Sequence, residues 1–226
     1  MKLTTAEKFL LIAHQPEKGR FLISEVQINY GIIGAMLLEM SLEQKISIKN
    51  DKLIVNNHGR DNDEIISEIS SLIYNSKKER KIRYWLTKLS RKSGKYKWAI
   101  LNELVNKRMM RIEKKKFLGI IPYRLSYITD DRARRDLIRT AKSNILSHKD
   151  LSDENVVVLG LIEACKMYKI ITTDKEELKR VKKELKEIIK ESPIAETLGQ
   201  TIQQVQAAVI AAVVTATAAS AATSSR

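Results

Sequence analysis

The sequence predicts a mainly α protein: one globular helical domain over residues 1–226, built around a buried Ala/Val-rich C-terminal helix and carrying two small β-hairpins. Three observations support this. Apolar residues recur at three- and four-residue spacing along most of the chain. The period falls to two in only two places, and each is broken by a turn signal. The stretch after Glu196 carries no charge before Arg226. It is built from Ala, Val and Thr, with Gln203, Gln204 and Gln206 interrupting it. Insertion into a bilayer gains little from such side chains, so this segment reads as a helix buried in a bundle rather than a tail anchor.

Thr4 and Thr5 cap a first helix over Ala6–His14, with Leu3, Phe9, Leu10 and Ile12 on its apolar side. A second helix runs from about Ser24 to Leu42 and holds two close glycines, Gly31 and Gly34. No strand precedes them, so a phosphate-cradling loop is not indicated. Their spacing instead lets a neighbouring helix approach one side. "KISIKNDKLIVNN" alternates, turns at Asn50-Asp51 and alternates again, which is a hairpin pattern. The polar loop "HGRDND" leads to a helix over Glu64–Asn75. A helix, a basic break at Ser93-Gly94 and a helix to about Lys107 follow. The second hairpin has Met109–Ile112 and Tyr123–Ile128 as strands. Three further helices are predicted over Asp130–Ser147, Ser152–Tyr168 and Lys175–Lys190, the last ended by Pro193.

The formal net charge is +14, and its placement says more than its size. Between Lys77 and Lys116 there are 16 Lys/Arg and 3 Asp/Glu. A field concentrated in this way attracts polyanions: nucleic acid, an anionic membrane or an acidic partner. The single cysteine, Cys165, excludes an internal disulfide framework and sits on an apolar helix as a core residue, which fits a reducing, cytoplasmic setting. The opening segment lacks the length and cleavage site of a signal peptide. Catalysis is not indicated. His14, His58 and His148 are scattered without ligand spacing. Asp61, Asp63 and Glu64 lack the calcium-loop pattern, and no nucleophile motif or P-loop occurs. No cofactor or metal is expected.

The sharpest local feature is "EKKKFLGIIPYR". Lys114, Lys115 and Lys116 precede Phe117, Leu118, Gly119, Ile120, Ile121 and Pro122, and Arg124 follows. Gly119 and Pro122 suit a hairpin tip. A tip of this composition fits a neighbouring subunit, its own core or the headgroup layer of a bilayer, and the flanking lysines favour the bilayer. A second cluster, Arg91, Lys92, Lys95 and Lys97, surrounds Gly94, where the start of a helix would add backbone N–H groups to an anion site. Lys77, Lys78, Arg80, Lys81 and Arg83 read as a solvated face that raises the field. The competing reading is a winged-helix-like nucleic-acid-binding protein, with Lys95, Lys97, Lys107, Arg108 and Arg111 on phosphates. A wing tip is usually polar, and this one is apolar.

"LTTAEKFLLIA" and "YGIIGAMLLEMSLEQKISIK", followed by "LNELVNKRMMRIEKKKFLGIIPYRLSYITDDRARRDLIRTA", resemble the Golgi phosphoprotein 3 family over nearly the whole chain. Gly31, Gly34, Leu37, Glu39 and Met40 match the family's G-x-x-G-x-x-L-x-E-L helix. The resemblance implies a non-enzymatic, mainly helical protein attached to the membrane periphery. In eukaryotic members that is the cytosolic face of the Golgi. There the family binds phosphatidylinositol 4-phosphate and the cytosolic tails of glycosyltransferases, engages coatomer, and uses a projecting hairpin for oligomerisation and membrane contact. The implied partners are therefore anionic lipids, membrane-protein tails and a second copy of the chain. The headgroup residues transfer poorly. A Trp and an Arg of Golgi members fall at Ser24 and Ile33, and two arginines three apart fall at Gly94 and Lys97. Lysine does not reproduce the bidentate grip of arginine on phosphate. The expectation is general anionic-lipid binding by Lys97, Arg91, Lys92 and Lys95, in a relative of prokaryotic type.

Overall fold

The computed structural model describes residues 2–56, 63–149, 151–191, 204, 205, 207–215 and 218. Helix α1 (Thr5–Ala13) starts in a capping box. The Thr4 hydroxyl accepts the Glu7 N–H, and the Glu7 carboxylate accepts the Thr4 N–H at 2.8 Å. The helix ends one residue before its expected end at His14, and the chain there forms β1 (His14–Gln15), which pairs with β2 (Arg20–Phe21). These two-residue strands are too short to show a period, so this third ribbon was not foreseen. Helix α2 (Glu25–Leu42) begins in a second capping box, Ser24 with Gln27.

Helix α2 is the axis of the core. It is apolar on every side and touches α1, α4 (Ile82–Ser90), α5 (Ser93–Asn106) and α7 (Asp153–Ala164). Of the C-terminal helical residues, Val209 lies against α2 at Gly34, and Val205, Ala212 and Val213 are buried with it, while Ala207, Val214 and Thr215 face outward. This burial is the one expected, but it is confined to a stripe. The expected start of that helix near Ile194, and Pro193 before it, lie outside the described residues. The two glycines of α2 serve two neighbours rather than one. A Cβ on Gly31 would sit 2.2 Å from the Phe9 ring of α1, and one on Gly34 would sit 2.6 Å from Val209 Cγ2.

Strands β3 (Ile46–Lys49) and β4 (Lys52–Val55) form the first expected hairpin, closed by Asn50 and Asp51, both at positive φ. The expected polar loop lies outside the described residues over positions 57–62. Its end, Asp63, caps α3 (Glu64–Tyr74) by accepting the Ile65 and Ile66 N–H groups. The break between α4 and α5 falls at Arg91-Lys92, slightly before its expected place, so Gly94 belongs to the first turn of α5.

Next come β5 (Met110–Phe117) and β6 (Ile121–Ile128), then α6 (Arg132–Ser147) and α7. The helix expected over Ser152–Tyr168 is interrupted at Cys165–Met167, where Lys166 takes φ 50. A short α8 (Tyr168–Ile171) and the charged amphipathic α9 (Lys175–Glu191) follow. Among the described residues no helix is long and apolar enough to cross a membrane.

Candidate functional site

The β5–β6 ribbon is longer than its sequence pattern suggests. Eight residues pair with eight, from Met110↔Ile128 out to Phe117↔Ile121. Leu118, Gly119 and Ile120 close it, with Leu118 and Gly119 at positive φ. Gly119 therefore sits in the turn as expected. Pro122 does not: it pairs with Lys116 inside the ladder. A two-stranded ribbon has only edge strands, so a proline without an N–H is tolerated there. The lysine run hid this extension, because Lys is depleted in strands and breaks the alternation.

At the free end Phe117, Leu118, Ile120 and Ile121 are 59, 79, 80 and 59% exposed. The register sorts the side chains behind them onto two faces. One face carries Lys114, Lys116 and Arg124, and the other carries Lys115 and Tyr123. Lys115 is partly neutralised by Glu113 at 3.3 Å. Lys114, Lys116 and Arg124 have no carboxylate in ion-pair range among the described residues.

The root of the ribbon is held on several sides. The Arg124 guanidinium lies 4.1 Å from the centre of the Trp98 ring of α5, and the Lys97 ammonium lies 5.7 Å from it. The Arg124 contact ties the ribbon to α5, and the Lys97 contact lies within that helix. Trp98, next to Lys97 in the chain, is thus a site residue that sequence reasoning missed. A half-buried Trp beside basic residues was the available signal. On the opposite side Gly19, at φ +61, packs where a Cβ would lie 3.0 Å from Tyr127. Below it, buried His14 shares a 2.9 Å hydrogen bond between its Nε2 and Ser126 Oγ. Burial pushes the His14 pKa down to about 4, so the ring is neutral in the folded protein.

The expected headgroup cluster divides. Lys92 and Lys95 reach Glu68 of α3 at 3.0 and 2.6 Å, and the Tyr96 hydroxyl donates to the same carboxylate at 3.2 Å. The hydrogen bond from Lys95 is the main reason the Glu68 carboxyl titrates below its usual range. Arg91 is exposed at the end of α4. Lys97 instead belongs to the ribbon side, with Trp98 and Arg124. Of the positions where the resemblance shows a departure, Ser24 caps α2 and Ile33 is fully buried. Gly94 is exposed with open space around it.

Some of the remaining basic residues are balanced by carboxylates. On α6, Arg132, Arg135 and Arg139 pair with Asp130, Asp131 and Asp136. Lys81 pairs with Asp51. Lys107, expected at a phosphate in the nucleic-acid reading, is half-buried and pairs at 2.6 Å with Glu7, whose side chain is almost wholly inside. The model of the Golgi phosphoprotein 3 (GPP34) family matches residues 5–205 of the chain, from the first turn of α1 to the C-terminal helical stretch. No curated protein matches the sequence.

Proposed function

The chain belongs to the Golgi phosphoprotein 3 family, and from that premise we propose that it is a non-enzymatic adaptor that docks reversibly on anionic membranes through the β5–β6 ribbon. Phe117, Leu118, Ile120 and Ile121 dip into the interface. Lys114, Lys116 and Arg124, with Lys97 behind them, meet the headgroups. The observation that carries this reading is the exposure of four large apolar side chains at the end of a ribbon, with three cations behind them that have no carboxylate in ion-pair range among the described residues. Each such cation contributes on the order of 1 kcal/mol near an anionic surface. Partial burial of the tip adds a few kcal/mol at about 25 cal/mol per Å². Together these give binding that is firm but reversible. The docked protein would then hold short cytosolic tails of membrane proteins, a role that crosslinking to such tails would test. A second copy joined through the tip is the competing use of the same apolar surface.

The decisive experiment is sedimentation with vesicles of phosphatidylcholine containing about 20 mol% phosphatidylserine, run beside a DNA shift assay at about 0.1 M salt. Wild type is expected to sediment with the vesicles. Phe117→Asp with Ile120→Asp should lower vesicle affinity by about two orders of magnitude without lowering thermal stability, since both side chains face solvent. Vesicle binding that survives both substitutions overturns the mechanism. DNA binding without vesicle binding favours the winged-helix reading.

A further inference from the structure

We propose that the outward face of α4, centred on Tyr84, is a docking surface for an acidic segment of a protein partner. Between Lys77 and Arg91 the chain carries seven Lys/Arg and one Glu. From Lys175 to Glu191 it also carries seven Lys/Arg, but five Glu stand among them. Helix α9 can therefore answer its charge within one helix, and the α4 stretch cannot.

The stretch is fixed in place. The Leu53 N–H of β4 donates to the Arg80 carbonyl at 3.0 Å. Lys81 pairs with Asp51 at 2.8 Å, and Glu79 with Lys52 at 3.3 Å. These pairs hold the stretch to the β3–β4 hairpin and use up its one acid. The cations between and after them gather elsewhere. The Arg80 guanidinium carbon lies 5.1 Å, and the Lys88 ammonium 5.7 Å, from the centre of the same Tyr84 ring. Lys88 also lies 4.9 Å from the ring centre of Trp85, which is fully buried and meets Tyr84 edge to face. Two cations thus meet at one exposed aromatic ring, and Arg83 is exposed next to it in the chain. Arg80, Arg83 and Lys88 have no carboxylate in ion-pair range among the described residues. The first turn of α4 holds no acid and no side chain caps it, so the helix dipole adds a field of the same sign.

Like charges held side by side repel one another, and an anion removes that cost. Three kinds of polyanion compete for such a face. A single-stranded nucleic acid stacks its bases on open aromatic rings. Tyr84 is the one aromatic side chain exposed on α4, and two cations already lie against it. A bilayer rewards exposed aliphatic side chains, as at the ribbon tip, but Ile82, Leu86 and Leu89 of α4 are buried. Carboxylates fit best. The chain already answers the neighbouring cations Lys81 and Lys92 with Asp51 and Glu68. Tyr and Arg side by side are also the residue types that carry most protein interfaces. The face uses none of the ribbon's cations, so it stands whether or not the ribbon meets a membrane.

The test is fluorescence anisotropy of a labelled glutamate oligomer titrated with the full chain at about 0.1 M salt. About ten residues, when extended, outspan the roughly 14 Å of α4. Wild type should bind it saturably. The variant Arg80→Gln, Arg83→Gln, Lys88→Gln should melt like wild type, since all three side chains are exposed, and lose about twentyfold in affinity. The charge-matched variant Lys182→Gln, Lys186→Gln, Lys190→Gln on α9 should lose no more than about twofold. Tyr84→Leu leaves the charge unchanged and should lose about threefold, because Arg80 and Lys88 lose the ring that gathers them. Absence of saturable binding, equal losses in the two charge variants, or full affinity in Tyr84→Leu overturns the proposal. A uridylate oligomer of equal charge that binds more tightly, and is released by the same α4 variant, assigns the face to nucleic acid. Phosphatidylserine vesicles released by the α4 variant but not by the α9 variant assign it to the bilayer. Either result also overturns the proposal.

Discussion

Lysines crowd both the first turn of α5 and the free end of the β5–β6 ribbon, and the two regions treat them differently. At α5 the chain folds a carboxylate into the cluster, so Lys92 and Lys95 already hold Glu68. On the ribbon, Lys114, Lys116 and Arg124 share a face free of acid, and four apolar side chains lie beyond them. Positive charge in a sequence is thus not the same as charge available to a partner. Tertiary pairing decides how much of it can meet an external anion, and the ribbon combines four exposed large apolar side chains with cations that have no carboxylate in ion-pair range among the described residues.

The largest expected effect comes from the ribbon. Lys114→Glu with Lys116→Glu changes the local charge by four, and at roughly 1 kcal/mol per charge it should weaken anionic-vesicle binding by at least a hundredfold. Sedimentation at low and high salt checks this, and a loss below tenfold would erase the contrast with α5.

Acid should also separate the regions, because the ribbon is rooted on a neutral, buried His14. Its folded pKa of about 4 lies below the ordinary value of 6.5. The unfolded chain therefore binds more protons between these values, and the stability due to His14 is lost as pH falls through 6.5 toward 4. Glu39 acts in the opposite sense. Burial raises its pKa from 4.5 to about 7, so its share of stability is lost as pH rises through that interval. The two nearly cancel in wild type. Glu39→Gln should expose the histidine, with a stability loss of about 2 kcal/mol between pH 7 and pH 5. Urea melts across that range measure it. Glu68 titrates below its usual range, so the α5 cluster should hold its pairing over the same interval.

Smaller changes sharpen the comparison from the α5 side. Glu68→Gln frees Lys92 and Lys95 and should raise vesicle affinity about fivefold, since one negative charge is removed. No change in sedimentation would mean that this cluster does not face the bilayer. Gly94→Arg places a second cation one helical turn before Lys97, where the structure leaves room. A gain of about threefold is expected. Stability should move little, because better helix propensity is offset by a cation near the positive end of the helix dipole. Thermal melts and sedimentation together check both parts.

Most of the fold was legible. The Thr4 cap, the start of α2 near Ser24, the Asn50-Asp51 turn, the long apolar α2 and the charged α9 are local in origin, and each appears close to where its pattern puts it. The interruption after Ala164 was not legible, because the apolar residues continue through it and only the left-handed Lys166 marks it. Nor was the length of the ribbon, since three lysines pair as readily as valines once the opposite strand is fixed by the closing turn. For the site, residue type revealed the apolar tip, whereas the split of the α5 cluster and the role of Trp98 depended on which helix lies alongside.

The sequence by itself determined the helices, the turns and the presence of concentrated charge beside an apolar tip, because these follow from hydrogen bonding and periodicity within a few residues. Tertiary structure alone decided which cations are free. Glu68 and Lys92 are 24 positions apart, and Arg124 and Trp98 come from different elements, so their meetings are set by how α3, α5 and the ribbon pack around α2. Electrostatic pairing acts over a few ångströms of space, not along the chain, and no local pattern encodes it.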